Sequence, residues 1–134
     1  MGGTVEYQAF PRGDDLKTLP GAAGTAKNPQ TVNGTFNLGD LAVEGYTGLA
    51  VTLDITAITA ANLKVYVDEL DETSSKYVQI LAVDNAGAGY TVTGTNRGTV
   101  SPLLSKKIRL RWIVASAGTV TFTVSYKLSW SGGN

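Results

Sequence analysis

The strongest constraint in this chain is a period of two. From Thr119 to Trp130 the sequence reads TVTFTVSYKLSW. Val120, Phe122, Val124, Tyr126, Leu128 and Trp130 fall on one side, and Thr, Ser and Lys on the other. Successive side chains of a strand point to opposite faces, so this alternation marks a strand with one dry face and one wetter face. The same period runs through GLAVTLDIT (48–56), NLKVYVDEL (62–70) and KKIRLRWIV (106–114), and KYVQILAV (76–83) adds a further apolar run. The 3.6-residue spacing of an amphipathic helix is absent. Only ITAANL (58–63) has the makings of a helical turn.

Gly-rich and Asn-rich punctuation separates these segments: VNGT at 32–35, VEGYTG at 43–48, DNAGAG at 84–89 and SAGT at 116–119. SAGT, between two long alternating runs, reads as a hairpin turn. The pattern predicts an all-β chain, with five to seven antiparallel strands in a β-sandwich or jelly-roll-like barrel. Residues 31–134 make the sandwich domain. Residues 1–30 show no sustained period and carry Pro11, Pro20 and Pro29, which predicts an extended N-terminal arm. Apolar side chains punctuate that arm. Tyr7, Phe10, Arg12, Leu16 and Leu19 are its candidate partner contacts.

Composition removes whole classes of chemistry. The chain has no Cys and no His. It therefore offers no disulfide, no Ser-His-Asp triad, no imidazole base and no Cys/His zinc site. Lys and Arg together equal Asp and Glu, at 11 each, so no global field steers the chain to nucleic acid or to an acidic membrane. No apolar run approaches the roughly 20 residues of a membrane-spanning helix. The first residues, MGGTVEYQAFPRGDD, lack the basic region and apolar core of a secretory signal, and they miss the myristoylation motif because position 6 is Glu. No cofactor is expected.

The candidate sites are few. DELDETSSKY (68–77) holds four carboxylates within five residues. Its spacing matches no calcium loop, and neighbours on one hairpin do not face each other across a cleft as glycosidase acids do. The expectation is a solvated turn whose charges deter stray sheet pairing. Lys106, Lys107, Arg109 and Arg111 form a short basic ladder, expected to pair with neighbouring acids on a solvated sheet face. NRG (96–98) reads as a polar loop. GAGYTVTG (87–94) lacks the helix a dinucleotide fingerprint requires. Trp112 and Trp130 lie on apolar faces and are expected in the core, whereas Tyr46, Tyr66, Tyr77 and Tyr90 are freer. No convergent catalytic set is found, so the chain is read as non-enzymatic.

The succession GLAVTLDITAI, LKVYVDELDETSSKYVQIL and KKIRLRWIVASAGTVTFTVSYKL, covering about residues 46–128, resembles small β-sandwich structural proteins of tailed bacteriophages. The residues that carry the likeness are Arg109, Arg111, Trp112, Gly118 and the final run Thr119 to Val124. The resemblance implies a capsid decoration (cement) protein on the outer surface of the virion, made in the host cytoplasm. It implies contact with the major capsid protein, a homotrimer, and an arm reaching across neighbouring subunits. Tail and head-fibre proteins reuse similar sandwiches. The sandwich and the freer tyrosines also allow a carbohydrate-binding module.

Overall fold

The structure is a computed structural model that describes residues 2–10 and 34–131. It is all-β, with six strands and no helix among the described residues. The strands are β1 (Gly2–Phe10), β2 (Gly34–Ala42), β3 (Gly48–Asp71), β4 (Lys76–Val83), β5 (Gly94–Val100) and β6 (Lys107–Ser131). Every pairing is antiparallel.

Two very long strands organise the molecule. β3 has 24 residues and β6 has 25, and they pair with each other from Gly48↔Ser129 to Glu69↔Ile108. The runs 48–56 and 62–70 are therefore the two arms of one strand, and 106–114 and 119–130 are the two arms of another. SAGT is no hairpin, and ITAANL is no helical turn. Both lie inside continuous strands, at the place where the paired ribbon bends. A register shift between Ile55 and Ala57 adds a residue to β3, and a second between Thr59 and Ala61 adds one to β6 between Ser116 and Thr119; such bulges bend a strand and sharpen its twist. Ala60 takes φ 52° there. Gly118 lies against this bulge so closely that a Cβ on it would stand 2.1 Å from the Thr59 carbonyl oxygen. Small residues at SAGT let two backbones turn together without losing their pairing.

The bend creates two half-sheets that face each other. In one, the order is β1, the C-terminal arm of β6, the N-terminal arm of β3, then β5. In the other, it is β2, the N-terminal arm of β6, the C-terminal arm of β3, then β4. The inner faces carry the apolar rows read from the sequence. Leu49, Val51, Leu53, Ile55, Val120, Phe122, Val124 and Leu128 line one half. Leu63, Val65, Val67, Ile108, Leu110, Trp112 and Val114 line the other, and all are buried. Trp112 and Phe122 meet edge to face between the halves, with ring centroids 6.3 Å apart. Each such side chain removed from water contributes about 2 kcal/mol. β5 leans on β4, since a Cβ on Gly98 would meet Leu81 and Val83. The whole is a curled antiparallel sheet of the sandwich and jelly-roll kind.

The stretch 1–30 assigned to an arm divides in the structure. Residues 2–10 form β1, paired along β6 from Gly2↔Ser131 to Phe10↔Val124. Residues 11–30 lie outside the described residues. NRG is not a loop, because it belongs to β5, with Arg97 opposite Thr52. One end of the sandwich is closed by the bend. The other end is open and carries the connections 43–47, 72–75 and 101–106.

Candidate functional site

The open end gathers most of the ionic chemistry, and the acidic stretch lies there. Only its last part is the turn the sequence suggests. Asp68 and Glu69 are still within β3 and are buried. Asp68 is 2% exposed and sits on the outer face opposite Arg109. Its Oδ2 accepts the Nε–H of both Arg109 and Arg111, each at 2.8 Å, and its Oδ1 accepts Nη2 of Arg111 at 3.0 Å. Burial opposes ionisation of this carboxyl. Hydrogen bonds and charge from Arg111 and Arg109 outweigh it and hold the carboxyl below its ordinary range.

Two members of the basic ladder, Arg109 and Arg111, are thus tied to one acid, and a third, Lys106, reaches Glu44 at 3.6 Å. Arg111 Nη2 also donates to Gln79 Oε1 at 3.0 Å. The guanidinium of Arg109 lies 3.9 Å from the Tyr77 ring centroid, and that of Arg111 lies 4.5 Å from the Tyr66 ring centroid. Asn37 and Asp40 of β2 stand opposite Arg111 and Arg109 in register. Burial raises the Tyr66 phenol above its ordinary value, and the charge and hydrogen bond of Asp84 raise it further. These contacts cover one face of each tyrosine. Tyr46 meets Trp130 edge to face at 5.9 Å and packs against the core, as does Tyr90. The four tyrosines therefore form no common open platform for a sugar.

Glu69 faces inward, opposite Ile108 and Val78. Its Oε2 accepts the backbone N–H of Leu104 at 2.7 Å and of Ser105 at 2.8 Å. Glu72 accepts the N–H of Lys106 at 3.3 Å. Asp71 closes the turn through the N–H and hydroxyl of Ser74, and those bonds lower its pKa. The acidic stretch is a brace for the connection 101–106. Among the described residues, no group of three or more potential metal ligands gathers.

The braced connection presents two leucines in opposite ways. Leu103 is buried and its N–H donates to the Thr47 carbonyl at 2.9 Å, while Leu104 is 82% exposed. Beside it an open groove of about 520 Å³ runs between the end of β3, β4 and the connection. Trp112 is in the core as expected. Trp130 lies on the inner side of the same row but at its rim, 37% exposed, with its ring across Gly3. A Cβ on Gly3 would stand 2.5 Å from that ring.

The candidate arm contacts are not gathered into a described site. Tyr7 and Phe10 are strand positions of β1, opposite Tyr126 and Val124. Arg12, Leu16 and Leu19 lie outside the described residues. The sequence reading missed Glu69 and Leu104. An inward-facing Glu in an otherwise apolar row of period two, Val65-x-Val67-x-Glu69, is the signal that exposes the first.

The fold defines an all-β sandwich built on two bent strands. No protein-family model and no curated protein matches the chain. Solved structures share the fold. The SPBc2 prophage-derived protein YomS is 12% identical, with a TM-score of 0.51 over 96% of this chain and 95% of that one. The infectious bursal disease virus VP2 subviral particle gives a TM-score of 0.60 at 12% identity, and the structure of the Gx strain of that virus gives 0.59 at 14%. Both cover 99% of this chain, which spans 33% of the length of each of those viral chains.

Proposed function

We propose that this chain is a non-enzymatic structural protein of a virion, and that it decorates and stabilises a bacteriophage capsid by bridging neighbouring major capsid protein subunits. The observation that carries this reading is the fold at full length. A prophage-derived protein of matching size and a third of a virus particle protein share its bent-strand sandwich. The phage resemblance of the strand sequences points the same way.

The physics suits the role. A shell component must be stiff, and two strands shared by both half-sheets give one body with no hinge between layers. Zero net charge avoids repulsion between closely spaced copies. In a homotrimer, weak contacts from each copy add through high effective concentration. The segment 11–33, which joins β1 to β2, is the part of the proposed arm left to contact a neighbouring subunit.

Replacing residues 11–33 with a Gly/Ser linker of equal length tests the bridging role and leaves β1 and β2 in the chain. The expected result is an unchanged fold by circular dichroism and loss of binding to undecorated capsids. Saturation of those capsids by the linker variant would overturn the arm's part in bridging.

A further inference from the structure

Leu104 is an apolar side chain held in water by a buried charge. Two N–H groups of its connection converge on the single Oε2 of Glu69, and Leu103 is anchored in the core beside it. Bonds from Val43 N–H to the Lys106 carbonyl and from Lys107 N–H to Ser105 Oγ fix the far side. The loop therefore has little freedom to fold Leu104 away. Fixed, exposed apolar side chains next to a concavity are the anchors around which interfaces form, because little ordering entropy remains to be lost on binding.

The groove beside Leu104 has its own polarity. Leu70, Val78 and Ile80 give it an apolar wall, and Val78 is 53% exposed. Glu69, Asp71 and Glu72 also line it, no Lys or Arg is among its described lining residues, and Lys76 stands opposite Asp71 in the β3–β4 register. The nearest lysine in the connection, Lys106, turns its ammonium to Glu44 at 3.6 Å. In a chain of zero net charge, this is a locally negative apolar groove. Its complement is an apolar side chain with a Lys or Arg close by.

We infer that the groove between the end of β3, β4 and the 101–106 connection docks a segment of the neighbouring shell subunit, in which an apolar residue is flanked by a basic one. The apolar residue packs on Leu104 and Val78, and the cation meets Asp71 and Glu72. The inference rests on the reading of the chain as a particle component and adds a second contact surface to the segment 11–33.

The test places a photoreactive phenylalanine analogue at position 104, assembles the protein on its capsids, irradiates, and maps the adduct by mass spectrometry. The expected adduct joins position 104 to a shell-protein segment with Lys or Arg within three residues of the linked site. In parallel, Leu104→Asp and Val78→Lys, both at exposed side chains that line the groove, are expected to weaken capsid binding at least tenfold without altering circular dichroism. An adduct confined to residues 11–33 of this chain would overturn the inference by showing that the chain fills its own groove. Full capsid binding by Val78→Lys, with no adduct at position 104, would overturn it and leave the decoration reading standing. Failure of the unmodified protein to bind capsids would remove both.

Discussion

Glu69 shows how one buried carboxylate governs a segment 35 residues away. Removing it leaves two N–H groups in a half-buried connection without their charged acceptor. Glu69→Ala is expected to cost about 3 kcal/mol, read as a lower urea midpoint at unchanged slope. A loss under about 0.5 kcal/mol, the usual size of a neutral surface change, would contradict the brace. Asp68 makes a pH prediction. Its folded pKa is depressed, so the unfolded chain holds the proton more tightly, and the stability it contributes is present above the unfolded value near 3.9. That stability is lost as pH falls through the folded value. Asp68→Asn is expected to lower stability by about 3 kcal/mol at neutral pH, because two arginines lose their shared acceptor, and to flatten the acid limb of the stability profile. A parallel acid limb in the variant would contradict this. Gly118 is limited by space, with the Thr59 carbonyl where its Cβ would stand. Gly118→Val is expected to cost about 3 kcal/mol in a thermal melt, the upper range for forced repacking.

At the scale of elements, the account depends on two strands that each serve both half-sheets. Their alternation was legible because one face of each is buried and the other wet, and β4 was legible as an apolar run. The bend was not. SAGT has the composition of a hairpin turn, and composition cannot distinguish a chain that reverses from one that bends while still paired. Only the register shifts between Ile55 and Ala61 of β3 and their partners in β6 reveal which occurs. β5, GTNRGTV, escaped notice because a strand at the edge needs no apolar row, and Gly98 is small so that β5 can lean on β4. The site divides in the same way. The pairing of Arg109 and Arg111 with an acid follows from a shared face. Glu69 bracing a distant loop does not, because its partners are backbone N–H groups that carry no side-chain signature. A pairing test belongs to this scale. Amide exchange is expected to be slowest at Val51–Leu53 and Val65–Val67, which are paired on both sides between β6 and the outer strands. Fast exchange there would contradict the shared central strand.

For the whole molecule, β3 and β6 tie the two layers together and the open end supplies the surface. Both half-sheets share their central strands, so load applied to one layer passes to the other through covalent backbone. The connections 43–47, 72–75 and 101–106, the Asp68 cluster, the Glu69 brace and the groove at Leu104 gather at the unbent end or on the half-sheet beside it. That end is where a partner would find both charge and apolar anchors. The central claim is that such a body coats a capsid as a regular component. The measurement that tests it most directly is the copy number of this chain relative to the major shell protein in purified particles, by quantitative mass spectrometry. The account predicts near parity. A few copies per particle would place the chain in a tail or head fibre and contradict decoration, and its absence from particles would contradict the virion role altogether.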